Sequence, residues 1–162
     1  MLYIIEGLDK CGKSTFIDKH EITHRCEGLD EFVEVCRNTE GTDNVVVHFD
    51  KTDADPVGSL KYCAAMSTYC NVFMDRCWMS EIAYGNVFRN GSKIKPVHEL
   101  EILTYLSHTP HMIFYFSKRI AALDCTDEYE DITAVELLKK QYEDMISTYA
   151  RYLNIYRVEA IV

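Results

Sequence analysis

Proline and glycine are scarce, at three and seven among 162 residues. That scarcity, with 48% hydrophobic and 27% charged residues, excludes a collagenous, low-complexity or disordered chain. No run approaches the roughly 20 apolar residues that span a bilayer, and the opening segment MLYIIEGLDK lacks the basic and small-residue flanks of a signal peptide. A soluble, cytoplasmic protein with no membrane partner is expected. Cations are also few: 17 Lys and Arg against 26 Asp and Glu leave a net charge of −9. Phosphate backbones are gripped by concentrated Lys and Arg, so a general nucleic-acid binder is excluded. Any phosphate chemistry must come from a small local cation cluster. The seven cysteines include no C-x-x-C pair and read as buried small hydrophobes in a reducing compartment. His20 and His24 have i,i+4 spacing without the intervening Glu of a zinc-protease helix, and read as surface polar residues.

The length fits one domain, residues 1–162. Four short runs rich in β-branched and aromatic residues predict buried strands: Leu2 to Glu6, Asn44 to Phe49, Asn71 to Asp75 and His111 to Phe116. A fifth, Tyr156 to Val162, closes the chain. Helical patterns alternate with them. Asp55 caps a helix with Pro56 at its first position, followed by Val57, Leu60, Ala64 and Ala65 at helical spacing. Pro96 opens another, with Val97, Leu100, Leu103 and Leu106 on one face until Pro110. Thr133 and Glu136 fit a capping box ahead of a stripe of Val135, Leu138, Tyr142, Met145 and Tyr149. Between Glu21 and Asp43 the pattern is weakest. Leu29, Phe32, Val33 and Cys36 suggest a short helix there. Strands alternating with helices predict an α/β fold, a mainly parallel five-stranded sheet with helices on both faces.

Chemistry concentrates in Gly7-Leu8-Asp9-Lys10-Cys11-Gly12-Lys13-Ser14, which satisfies G-x-x-x-x-G-K-[ST] directly after a strand and at the start of a helix. Glycines let the backbone wrap a phosphate with N–H donors, Lys13 reaches the β- and γ-phosphates of ATP, and the Ser14 hydroxyl suits Mg2+. Asn71 to Asp75 is an apolar strand ending in an acid, so Asp75 is the natural second magnesium ligand. Arg76 follows at the carboxyl edge, where open α/β sheets bind ligands and a guanidinium can hold a phosphate bidentately.

Ile5-Glu6-Gly7-Leu8-Asp9-Lys10-Cys11-Gly12-Lys13-Ser14-Thr15, combined with Asp75-Arg76 and Ser80-Glu81-Ile82-Ala83-Tyr84, resembles thymidylate kinase and the related deoxynucleoside kinases. Those families use an E-G-x-D-x-x-G-K-[ST]-T loop and a D-R-x-x-x-S-x-x-A-[YF] motif. A weaker match, His48-Phe49 through Gly58, is similar to their R-F-P-x-R-x-x-x-x-x-G segment, and Asp127 to Glu130 with the helix around Tyr142 is similar to the stretch after the family's lid. The resemblance implies a P-loop kinase fold and phosphoryl transfer from ATP with Mg2+. Lys13, Ser14 and Thr15 would serve the ATP phosphates and metal. Asp9 would face the acceptor's sugar or phosphate, Arg76 would clamp an acceptor monophosphate, and Asp75 would stand on the metal side. Phe49 and Tyr84 would line the acceptor pocket, and Lys118 and Arg119 fall where the lid brings cations over the transferring group. In relatives the helices after Gly58 and Pro96 pair subunits, which implies a homodimer here by analogy of fold alone.

The chain also departs from the pattern. His48 stands in place of the acceptor-binding Arg and Asp50 in place of the Pro, while Lys51 can restore part of the lost charge. Only sixteen residues separate Gly58 from Asp75, too few for the helix that contacts thymine in thymidylate kinases. Three readings follow. A monophosphate acceptor, dTMP first, is its own ionised nucleophile and needs no general base. A deoxynucleoside acceptor needs a carboxylate to activate its 5′-hydroxyl, and Asp50 sits where one is wanted. A protein that binds or senses nucleotides without turnover is the third.

Overall fold

The computed structural model describes residues 1–9, 11–50, 55–117 and 132–158. Along the chain run β1 (Leu2–Gly7), α1 (Lys13–Asp18), β2 (His24–Glu27), α2 (Gly28–Cys36), β3 (Asn44–His48), α3 (Pro56–Met66), β4 (Asn71–Asp75), α4 (Trp78–Phe88), α5 (Pro96–Ser107), β5 (His111–Phe116), α6 (Ile132–Tyr149) and β6 (Ile155–Val158). The strands form one sheet, every pairing parallel, in the order β2-β3-β4-β1-β5-β6. The sheet has six strands rather than the five expected. The extra one, β2, lies in the stretch whose pattern is weakest, because His24-Arg25-Cys26-Glu27 buries only Cys26 and is held as an edge by pairing to β3.

The strand order decides where the helices go. From β1 the chain crosses to the far edge at β2, and every later connection runs back the other way. Right-handed crossovers of opposite direction land on opposite faces of a sheet. So α1 stands on one face and α2 to α6 on the other. Side-chain contacts agree: Phe16 of α1 meets Phe114 and Phe116, whereas α4 reaches Glu6 through Ser80 and α6 stacks Tyr142 on Tyr115. On the five-helix face, Leu2, Ile4, Val45, Val47, Val72, Met74, Ile113 and Tyr115 are all wholly buried. On the other, Tyr3, Met112 and Phe114 are half-buried and Tyr156 is 48% exposed.

Most helical patterns behave as their sequences require. The Asp55 carboxylate accepts the Gly58 N–H at 3.0 Å and caps α3. Leu138, Tyr142, Met145 and Tyr149 form the buried stripe of α6. That helix already contains Ile132, so Thr133 lies inside its first turn rather than at its cap. In α5 Leu106 is buried and Leu103 packs against the core as the stripe requires, but Val97 and Leu100 are 67% and 65% exposed and Ile102 takes the remaining core position. Six cysteines are buried as free thiols, and Cys125 lies outside the described residues. His20 is not a free surface residue: it packs among Tyr3, Phe16 and Phe73, with Nδ1 3.1 Å from the Phe16 carbonyl. No helix among the described residues is long and apolar enough to cross a membrane.

Candidate functional site

The site lies at the carboxyl ends of β1, β3 and β4. The chain leaves β1 at Gly7 with φ 140°, and a Cβ there would fall 2.5 Å from the Phe116 carbonyl oxygen, so only glycine fits. Gly12, at φ 93°, turns the chain in left-handed conformation into α1. Ser14 and Thr15 are exposed on the first turn of that helix. Leu8 and Cys11 are buried and anchor the loop from beneath, with the Cys11 thiol 3.7 Å from the Asp9 carbonyl. Lys10 lies outside the described residues.

Two cations converge on one carbonyl. Lys13 Nζ donates to the Gly7 oxygen at 3.2 Å and to Leu8 O, and Arg76 donates to the same Gly7 oxygen at 3.2 Å. Burial, and then the neighbouring guanidinium, bring the Lys13 ammonium down to a pKa of about 8. An anion entering beside these two groups would relieve both effects. Lys13 is 7% and Arg76 6% exposed, so their charge acts in a poorly screened setting.

Arg76 has the left-handed φ of 77°, a conformation that costs a non-glycine residue about 1 kcal/mol or more. Its surroundings hold it there. The backbone N–H donates to Ile5 O at 3.0 Å, the guanidinium donates to Ser80 Oγ at 3.0 Å and pairs with Asp9, and its plane lies 5.5 Å from the centre of the Tyr84 ring. Beneath sits Glu6, wholly buried. It accepts from the Cys77 N–H at 2.6 Å and from the Ser80 hydroxyl at 2.9 Å, and Ser80 Oγ is 3.0 Å from the Tyr142 hydroxyl. Burial raises the Glu6 carboxyl above the usual range, against the opposing pull of Arg76. Glu6, Ser80 and Tyr142 therefore aim Arg76, and Asp9 holds its outer nitrogen.

Asp75 ends β4 directly beside His48 of β3, its partner in the parallel pairing. His48 Nδ1 lies 2.7 Å from Asp75 Oδ2, and that bond raises the imidazole pKa. The other oxygen, Oδ1, is buried with no hydrogen-bond partner among the described residues. A buried carboxylate oxygen in that state is costly unless a cation or donor meets it. Together with the exposed Ser14 hydroxyl it gives a donor set of hard oxygens that fits Mg2+.

Gly7, Leu8, Asp9, Cys11, Gly12, Lys13, Asp75, Arg76 and Tyr84 thus gather around the end of β1, with Tyr84 packed under the guanidinium. Phe49 is 8% exposed just past β3, its N–H donating to the Asp75 carbonyl at 3.0 Å, and Asp50 beside it is exposed. Lys51, Lys118, Arg119 and Asp127 to Glu130 lie outside the described residues. Sequence reasoning missed Glu6, Ser80, Tyr142 and His48 as supporting groups. One signal was there: strand alternation places Glu6 on the same face as Leu2 and Ile4, and a carboxylate on a core face demands partners.

No protein-family model and no curated protein matches the sequence. Among solved structures, the YorR protein of Bacillus subtilis, in complex with phosphorylated GDP, aligns with a TM-score of 0.63 at 18% identity, over 99% of this chain and 86% of that one. A deoxyadenosine kinase from M. mycoides, with dCMP and a flexible dCDP bound, gives a TM-score of 0.48 at 16% identity over 99% of this chain and 90% of its own. Thymidylate kinase from Ehrlichia chaffeensis gives 0.47 at 14% over 100% and 89%. At such identities the likeness extends to the fold, and the chain has the α/β P-loop kinase fold that its loop motif implies.

Proposed function

We propose that this protein is an ATP- and Mg2+-dependent phosphotransferase that moves the γ-phosphoryl group of ATP to a (deoxy)nucleoside monophosphate, with dTMP the first acceptor to test. The observation that carries this reading is the convergence of Lys13 and Arg76 on the Gly7 carbonyl, with Asp75, whose Oδ1 has no partner among the described residues, acting on Lys13. Phosphoryl transfer needs two anions aligned and their repulsion neutralised, with little covalent help from the protein. One cation on the donor side and one on the acceptor side of a single loop meet that need. In a chain of net charge −9 they act at short range, because salt screens fields beyond about 8–10 Å. The nucleotide bound to YorR supports the same use of this fold.

In this reading Lys13 moves from the loop carbonyls to the donor's β- and γ-phosphates, and Thr15 and the loop N–H groups hold the rest. Arg76 binds the acceptor phosphate with the nitrogen that now meets Asp9, and Asp9 then turns to the acceptor sugar. Ser14 and Asp75 hold Mg2+, which when bound neutralises charge on the transferring group. Phe49, Lys51 and Tyr84 border the acceptor, and Arg119 supplies the lid cation. A second reading, a deoxynucleoside acceptor, is favoured by the exposed Asp50 carboxylate past β3, a residue suited to take a proton from a hydroxyl. The test is ADP release from ATP and Mg2+ with a panel of deoxynucleosides and their monophosphates. Release with monophosphates supports the first reading, and release with nucleosides alone supports the second. No acceptor-dependent release would sink both and leave nucleotide binding without turnover.

A further inference from the structure

In the resembling families the position of His48 carries an acceptor-binding Arg. Here its imidazole is turned to another task. Parallel pairing of β3 with β4 sets His48 directly opposite Asp75, so the two side chains project from the same face as neighbours. The Phe49 N–H, donating to the Asp75 carbonyl at 3.0 Å, pins the two strand ends together immediately beyond. Nδ1–H of His48 donates to Oδ2 at 2.7 Å, which fixes the plane of the carboxylate, and Oδ1 is buried without a partner among the described residues. The side chains are 26% and 16% exposed, so water competes little for either group.

We propose that His48 positions Asp75 for a divalent cation, occupying Oδ2 so that Oδ1 alone serves as ligand. The inference rests on the reading of Asp75 as a cation ligand. Its physical basis is that a carboxylate held by an outer hydrogen bond loses little rotamer freedom when it binds metal, and that one oxygen already engaged disfavours bidentate binding. Outer partners of metal ligands are commonly worth about tenfold to a hundredfold in metal affinity.

The experiment titrates Mn2+ alone into the full chain and follows free Mn2+ by electron paramagnetic resonance, without ATP or acceptor. Asp75→Asn should abolish the site. His48→Ala should weaken Mn2+ binding about tenfold or more, and His48→Asn, whose side-chain amide can donate from nearly the place of Nδ1, should recover affinity to within about threefold of the parent. Should the alanine variant fail to fold, His48→Leu keeps the bulk without the donor and carries the test. Unchanged affinity in Asp75→Asn would overturn the ligand reading and this inference with it. A weakened Asp75→Asn beside an unchanged His48→Ala would overturn the role of His48 alone. Equal losses in His48→Ala and His48→Asn would show that the hydrogen bond is not what positions the carboxylate.

Discussion

The two faces of the sheet have been built to different ends. One carries five helices and buries every side chain it presents from the middle strands, including a carboxylate, Glu6, sealed within a network of Ser80, Tyr142, Arg76 and the Cys77 N–H. The other carries α1, six residues long, and leaves Phe114 and Tyr156 stacked 5.7 Å apart with partial access to water. Both faces meet at the carboxyl ends of β1, β3 and β4. The covered face supplies the rigidity that aims Arg76, and the helix on the other face starts with Lys13, the residue that would meet a phosphate in the proposed reading. Both faces therefore contribute to the candidate site, the covered one by fixing Arg76 and the other through α1 and the His48–Asp75 pair.

The sharpest way to break this contrast is to remove the buried carboxylate. Glu6→Ala leaves the Cys77 N–H and the Ser80 hydroxyl without their acceptor and should cost about 3–5 kcal/mol, read from urea unfolding. A cost under about 1 kcal/mol would mean that the network does not hold the covered face together. Lys13→Ala tests the other side. It should lower ATP affinity about tenfold to a hundredfold by calorimetry, the weight of one or more charged hydrogen bonds, while changing the free energy of unfolding by less than about 1 kcal/mol. A large loss of stability with affinity retained would assign the loop lysine to structure instead.

On the thin face, Tyr156→Ser removes a ring that is 48% exposed and should move the unfolding free energy by less than about 1 kcal/mol. An effect equal to that of Glu6→Ala would erase the difference between the faces. The smallest expected effect is at the end of the covered face, where Arg157 of β6 holds Glu143 of α6 by two hydrogen bonds of 2.8 and 2.7 Å and keeps its carboxyl below the ordinary range. Its folded pKa is depressed, so the contribution is present above the unfolded carboxylate value and is lost as pH falls through the folded one. The pair is solvent-accessible and should contribute under about 1 kcal/mol. Acid titration of the melting temperature, parent against Glu143→Gln, measures it, and the two curves should converge as the pH falls below the depressed folded value.

Much of this was legible in the chain itself. Short β-branched runs against long amphipathic stripes separate strands from helices, as Val45 to Val47 and the stripe of α6 illustrate, because each period fits one backbone geometry. The glycine-bearing loop between β1 and α1 is legible because its glycines act through local backbone shape. The strand β2 was not, since an edge strand with one buried residue has no periodic signature of its own. Nor was all of the core face of α5. Val97 and Leu100 look like core residues by type, and only the direction of packing against the neighbouring helices turns them outward. His48 looked like a lost phosphate ligand, because its partner lies on another strand, 27 residues away.

The sequence by itself determined most of the elements, the glycine-bearing loop after β1 and the acidic setting in which a few cations must act locally, because these follow from spacing and composition. Only the tertiary structure decided the rest. The order of strands placed a single helix on one face and five on the other, and pairing across β3 and β4 joined His48 to Asp75. Burial turned Glu6, Ser80 and Tyr142 into the support of Arg76. Strand order and pairing join residues far apart in the chain, and no local propensity encodes which of those partners will meet.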